Sequence, residues 1–504
     1  MVLCGKYSVD AETGHVGPEV AELLEIPHVT GATGVTLSDP KDHAIVETET
    51  DYGFQRVETP IPVLLTAAER LIKPHTPTQE ELDDAKSKPY TVVLASDLSQ
   101  DVSLFGSAGS PTSVSEIYSI ETKRKCEIID GSTLEEKVKT LTETLVGRGL
   151  FAGWEGLGEK KVQPPVSRAI RKSKAFWVVA ERVQGRLRGV TYELLGRGVE
   201  LTTKLESELC AVIFGDDSDA HVQDLVAHGA DKVYAVKHEQ LSKYSSDAYA
   251  AALAETIQKY RPYAVVAAAT SLGRDFMPRV AARLGLGMTS DCIALEVNDE
   301  EQLVQMKPAF GGNLVAPILS RTFPQLATVR PGILPAAEAN SSRKGTVVQV
   351  HPTSLKAMAK VVEERFEADQ DALRLDNADV IVAAGFGVGG PDKMKIVNEL
   401  AKILNAPIAT TRKVVDLGWL PRQLQIGLTG RSVGPKLYVA IGVRGAFNHM
   451  VGIGRAKIVV AINNDPNALI FKNCDYGVVG DYAEVVPLLS EELRNMKATL
   501  SKPS

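Results

Sequence analysis

The chain has 504 residues, 44% of them apolar, with a formal net charge of -7 and a mean hydropathy of -0.04; that length accommodates about three domains. A globular protein of the cytoplasm is expected: no apolar run nears the ~20 residues that span a bilayer, and the amino terminus lacks a basic-then-apolar secretory pattern. The mild negative charge excludes the usual nucleic-acid binder, and the five cysteines, Cys4, Cys126, Cys210, Cys292 and Cys474, follow no CxxC or metal spacing and are expected as reduced thiols.

Residues 1–150 form the first expected unit. A strand, MVLC, feeds the loop GKYSVDAETGHVGP at residues 5–18, and an amphipathic helix follows through Val20, Leu23 and Leu24. A glycine-rich loop between strand and helix can receive a phosphate on its backbone N–H groups, although an ordinary strand-to-helix connection is the commoner use. A strand near residues 125–129 and a helix over 135–146 close this unit.

Glycines 153, 156 and 158, Lys160, Lys161, Pro164, Pro165 and a basic run over 168–174 then mark a linker at 151–174. Residues 175–345 carry apolar strand-like runs at 176–180, 209–214, 232–236 and 263–269 with helical patterns between them, which predicts a doubly wound α/β layer. Thr270 to Asp275 opens a helix at a strand's carboxyl end, where the Arg274 and Asp275 pair can meet an anion.

Residues 346–504 form the last expected domain, and within it 379–481 is the densest in signals. The run VIVAA at 380–384 predicts a strand buried on both faces. The glycine turn GFGVGG and a helix opened by Pro391 follow, with Met394, Val397, Leu400 and Leu404 on one face. Strand, glycine turn and helix together predict a phosphate cradle; the glycines do not fit GxGxxG, so a ligand-free tight turn is the rival reading. Four further strand-like runs end in polar or glycine-rich residues, and in an open parallel sheet such loops converge on one crevice that takes dinucleotides.

The segment GLTGRSVGPKLYVAIGVRGAFNHMVGIGRAKIVVAINNDPNALIF, followed by DYGVVGD, closely resembles the carboxyl-terminal FAD domain of the electron transfer flavoprotein α subunit. The resemblance implies FAD contacts at Gly385, Phe386, Gly387, Thr411, Arg412, Ile426, Gly427, Leu428, Thr429, Arg444, Gly445, Ala446, Phe447, Asn448, His449, Asn463, Asp481 and Tyr482. It also implies that Arg412 lies near the isoalloxazine and that His449 faces its pyrimidine edge, where positive charge favours reduced flavin. Phe386 stands where the family often has Arg, Leu428 where it has Gln and Arg444 where it has Ser; Arg444 is then the charge that Phe386 lacks.

Residues 5–18 resemble the nucleotide loop in the second half of the β subunit, which implies AMP or a second FAD along Gly5, Lys6, Val9, Asp10, Thr13, Gly14 and Val16. The whole chain thus resembles a carboxyl-terminal part of β fused to a full α subunit, with a late start codon or a separate chain supplying the first half of β. The implied fold is α/β throughout: adenine nucleotide α-hydrolase-like β and α amino domains, and a Rossmann-like FAD-binding domain. Arg274 and Arg330 are expected toward the shared interface, and a hinge near residues 343–356 is expected to let the FAD domain swing. Gln79 stands where the family's docking loop has a leucine, which an amide cannot replace as an apolar anchor.

Three functions stay open. The first is an FAD-dependent carrier that takes electrons from flavoprotein dehydrogenases, such as those of fatty acid oxidation, and passes them to a quinone-linked or other acceptor. The second is a bifurcating, NADH-oxidising flavoprotein with two FAD. The third is a nucleotide-binding regulator without redox function.

Overall fold

The computed structural model describes all residues except 9–11, 69–70, 73–74, 120–123, 152–160, 310–313, 354, 367–374, 376–377 and 501–504. The first unit winds β1 (Val2–Gly5), α1 (Val16–Leu23), β2 (His28–Leu37), β3 (His43–Thr50), β4 (Gly53–Pro60) and β5 (Leu64–Ala67). β5 lies between β1 and β2, parallel to both, and β3 and β4 continue antiparallel. Three short strands, β6 (Thr112–Val114), β7 (Tyr118–Ser119) and β8 (Glu127–Ile128), lead to α2 (Leu134–Gly147), which Thr133 caps by accepting the Glu136 N–H.

The second unit begins with β9 (Lys172–Val179), α3 (Gly189–Leu205), β10 (Ser207–Phe214), β11 (Lys232–Val236) and α4 (Ser246–Tyr260). It continues through β12 (Ala264–Ala268), α5 (Ser271–Leu284), β13 (Met288–Cys292), β14 (Ala294–Val297), β15 (Leu303–Ala309), β16 (Leu314–Ser320) and β17 (Gln325–Val329), then β18 (Thr346–Val350). Its main sheet is seven-stranded and parallel, in the order β13-β17-β12-β9-β10-β11-β18. Val, Ile and Ala dominate strands buried on both faces, as a sheet sandwiched by helices requires. β12, α5, β13 and β17 repeat the winding of β1, α1, β2 and β5: the last strand of each set slots in parallel between the first two. The helices of the two copies, α1 and α5, pack on each other.

After β19 (Lys360–Phe366), the third unit comprises β20 (Val380–Ala384), α6 (Met394–Ile403), β21 (Ile408–Thr410), β22 (Leu437–Ile441), β23 (Ile458–Asn463), β24 (Tyr476–Val479) and α7 (Tyr482–Leu500). Its parallel sheet runs β21-β20-β22-β23-β24-β8. The doubly wound α/β class expected from the sequence is therefore present in the second and third units.

The expected boundaries at 150 and 345 do not follow the sheets. β6 and β7 pair antiparallel with β16, and β8 pairs parallel with β24. α2 packs on α7, and its Val138, Leu141 and Leu145 lie in the same apolar core as Val382, Val460 and Leu489. At the other boundary, β18 extends the second sheet beside β11, and β19 crosses to the first unit and pairs with β4. Periodicity reveals a strand but not the edge it will satisfy. The hinge expectation needs the same correction over its first half. Arg343 is buried, donating to the carbonyls of Val226 and Gly229 at 3.0 Å and to Asp231 at 2.7 Å. With β18 held in a sheet, residues 343–350 are anchored.

Candidate functional site

In the third sheet the first strand, β20, lies beside β21 on one side and β22 on the other, so the winding reverses between β20 and β22. That reversal leaves a crevice at the carboxyl ends of the strands. Gly385, Phe386 and Gly387 leave β20 there; Thr411 and Arg412 leave β21; residues 442–449 leave β22; Asn463 ends β23; Asp481 and Tyr482 follow β24. The loop carrying Ile426 to Thr429 joins the same rim, since the Ile426 N–H donates to the Thr410 carbonyl at 2.9 Å. The structure thus brings every residue of the expected FAD set to one rim.

Inside the crevice the two glycine turns close on each other. Gly385 donates its N–H to the Ile441 carbonyl at 2.8 Å and Gly387 to the Gly442 carbonyl at 2.9 Å. A Cβ on Gly442, whose φ is +60°, would come 2.8 Å from the Gly387 carbonyl carbon. Glycine is therefore required for the approach of two backbones. Those two amides are spent on that approach and are not donors to a phosphate. Tyr482 braces the same turn, its hydroxyl donating to the Val388 carbonyl at 2.9 Å, and Asn463 donates to the Val443 carbonyl at 3.0 Å.

His449 is buried. Its Nδ1–H donates to the Ile426 carbonyl at 3.1 Å, and because a carbonyl only accepts, Nε2 is left to accept from the Tyr438 hydroxyl at 3.0 Å. Burial pushes its pKa down to about 4, the Ile426 hydrogen bond opposing this weakly. The ring is neutral at pH 7, so the expected positive charge at this position is not His449's. Tyr438, missed in the sequence because it lies within a strand, is the partner of the His449 Nε2. Gln425, also missed, donates to Thr429 at 2.9 Å and shapes the loop.

Positive charge on the rim comes from side chains that are exposed: Arg412, Lys413 and Arg444. Lys413 stands 3.5 Å from the centre of the Phe386 ring, which stacks on Trp419 with centroids 5.7 Å apart and planes at 20°. Cations at the rim and an aromatic stack beside them fit a ligand with an anionic linker and ring systems, which is the chemistry of an adenine dinucleotide.

The second loop lies at a junction of all three units, around a cavity of about 520 Å³ lined in part by Lys6, Tyr7, Asp51, Tyr52, Arg274 and Arg431. Burial alone would raise the Tyr7 phenol, but the charges of Lys6, Arg274 and Arg422 outweigh it and lower the pKa, which marks a positive field. Gly5 ends β1, Thr13 accepts the His15 N–H at 3.5 Å, Gly14 takes φ +71° against the Tyr7 ring, and Val16 begins α1 with its side chain exposed. Val9 and Asp10 lie outside the described residues. Arg274 faces this loop across the Tyr7 ring, whereas Arg330 is buried beside Asp291. The junction is latched by the β3–β4 turn: Asp51 accepts from Arg188 at 3.0 Å and its carbonyl from Arg431 at 2.6 Å, while both guanidinium groups lie over Tyr52. Gln79 opens an exposed helix, Gln79–Ala85, capped by Thr78 and Glu81.

The folds and the crevice define a multi-unit, nucleotide-binding α/β protein. A family profile described as the electron transfer flavoprotein domain matches residues 1–98 and 176–355, and one described as the electron transfer flavoprotein FAD-binding domain matches 374–454. The chain belongs to the electron transfer flavoprotein family. It is 39% identical over 329 residues to the electron transfer flavoprotein subunit alpha of Thermoanaerobacterium thermosaccharolyticum, an alignment spanning 64% of this chain and 99% of that one. It is 37% identical to protein FixB of Azorhizobium caulinodans, over 64% of this chain and 89% of that one. The third comparison is with subunit LctC of the lactate dehydrogenase (NAD(+),ferredoxin) of Acetobacterium woodii, 35% identical over 64% of this chain and 78% of that one. Among the described residues no helix is long and apolar enough to cross a membrane.

Proposed function

We infer that the chain is an FAD-dependent electron carrier of the cytoplasm, taking electrons from flavoprotein dehydrogenases and handing them to a quinone-linked or other acceptor. The observation that carries this reading is the convergence of the five strand ends of the FAD-binding domain on one rim that bears the exposed cations Arg412, Lys413 and Arg444. Bound FAD would supply reversible one- and two-electron transfer. The chain's own part is to hold it: Arg412, Lys413 and Arg444 balance its phosphates and the charge gained on reduction, the Phe386–Trp419 stack offers a planar surface, and neutral His449 fixes the loop from Ile426 to Thr429. The domains as proposed run 1–150, 175–345 and 346–504 in sequence, with 151–174 linking the first two.

The positive field at Tyr7 favours a second reading, in which AMP or a second FAD lies along Gly5 to Val16 with its phosphate toward Lys6 and Arg274. A second FAD there would make the protein a bifurcating enzyme, an idea supported by its likeness to a subunit of the NAD(+)- and ferredoxin-linked lactate dehydrogenase. Counting nucleotides released by denaturing the purified chain tests both. One FAD, with or without AMP, supports the carrier; two FAD support bifurcation; absence of flavin after reconstitution sinks both.

A further inference from the structure

Two cysteines that the sequence leaves 348 positions apart meet where β8 joins the third sheet: the Sγ atoms of Cys126 and Cys474 are 3.1 Å apart. The backbone makes this meeting a matter of register. Tyr476 faces Glu127, so Cys126 lies opposite Asp475, one residue from Cys474, and the Glu127 N–H donates to the Asp475 carbonyl at 2.9 Å. Parallel strands ~4.8 Å apart with a ~3.3 Å rise put such diagonal Cα atoms ~5.8 Å from each other, near the commonest separation in disulfides, ~5.5–6 Å. The segment is pinned on both sides of the pair. Arg124 binds the Asp475 carboxylate and the Ala456 carbonyl, and the Ile129 N–H donates to the Gly477 carbonyl at 2.8 Å. Cys474 is buried and Cys126 is partly exposed, an asymmetry that suits one thiol to meet an oxidant and the other to resolve it.

We propose that Cys126 and Cys474 form an oxidative modification site, a peroxide-driven disulfide that stitches the β8–α2 segment onto the FAD-binding domain. The Cys126 sulfur, as thiolate, attacks one peroxide oxygen; the O–O bond breaks, giving the Cys126 sulfenic acid, and the released hydroxide leaves as water with the thiol's proton. The Cys474 sulfur then attacks the Cys126 sulfur; the S–O bond breaks, the S–S bond forms, and a second water carries off the Cys474 proton. Two thiols lose two electrons and two protons to one hydrogen peroxide, giving two waters. Burial pushes both thiols up, so the reaction quickens as pH rises and more thiolate is present. Cys4 lies in β1 of the first unit, and Cys210 and Cys292 are buried in strands of the second, so pairing is expected to be selective.

The test treats the full chain with hydrogen peroxide, alkylates the remaining thiols, and maps disulfides by peptide mass spectrometry without reductant. The expected product is one peptide pair joining Cys126 to Cys474, lost on adding dithiothreitol, with faster migration on a non-reducing gel. Hydrogen exchange of the Glu127 and Ile129 amides is expected to slow at least tenfold in the oxidised protein. Cys126→Ala and Cys474→Ala, each checked for folding by circular dichroism, should abolish the pair. Oxidation of Cys126 to sulfinic acid with Cys474 still alkylatable, or cross-links spread among all the cysteines, would overturn the proposal, and the wild-type map decides even if a variant fails to fold.

Discussion

His449 makes a quantitative prediction about acid. In the folded chain its pKa is about 4 because burial disfavours the imidazolium, against ~6.5 in an unfolded chain. The folded state then binds fewer protons than the unfolded state between those values, so stability falls as pH drops from 6.5 toward 4. The difference amounts to about 2 kcal/mol at pH 5 and approaches ~3 kcal/mol below pH 4. His449→Gln keeps an amide for the Tyr438 and Ile426 partners but removes the titration. Urea unfolding of flavin-free protein, followed at Trp419 beside the crevice in a background lacking the other tryptophans, gives the free energy at pH 7 and pH 5. The gap between wild type and variant should close by about 2 kcal/mol on going to pH 5. Parallel pH profiles within about 0.5 kcal/mol would refute the buried, neutral imidazole.

Three other outcomes follow from the packing and the rim. Gly442→Ala puts a Cβ 2.8 Å from Gly387 at a positive φ; thermal unfolding should show the FAD-binding domain weakened by about 2 kcal/mol or more, with poorer retention of flavin. Arg279 is buried between Glu22 on α1 and Asp247 on α4, each at 2.8 Å; Arg279→Ala leaves Glu22 with Arg283 and Asp247 with the Met358 and Ala359 N–H groups and should cost about 3 kcal/mol by urea titration, loosening α1 from α5 first. Arg444→Ala should weaken FAD binding about tenfold in equilibrium titration, with a shallower salt dependence than wild type; unchanged affinity would remove Arg444 from the phosphate-balancing set.

The third sheet is legible in the sequence because each of its main strands is a short apolar run that stops at glycine or a polar residue, and buried parallel strands need that composition. The crevice is legible for the same reason: its residues are the stops. What residue order conceals is contact made at a distance. Tyr438 reads as one more apolar strand position, yet its hydroxyl is the partner of the buried His449 Nε2. The repeated winding of β1–α1–β2 and β12–α5–β13 has no shared motif to announce it, since the loop after β1 carries Gly5-Lys6 and the turn after β12 carries Thr270-Ser271. The strands β6 and β7 are too short for periodicity to identify, and although the strand near residues 125–129 is legible as β8, its partner is not; the partners lie some 200 and 350 residues onward.

The route of residues 112–147 has a practical meaning for anyone dividing this polypeptide. From β16 of the second unit the strand pairing passes to β24 of the third, and α2 then fills the gap under α7 with Val138, Leu141 and Leu145. A cut between α2 and β9 looks from the sequence like a clean separation of two subunits. In space it would leave the larger fragment with a hole in its flavin-binding half, and the smaller one with a greasy helix that has nothing to lie against. The two pieces would have to be made together, each serving as the other's missing part, so the linker at 151–174 joins partners that are already interlocked rather than neighbours held on a tether.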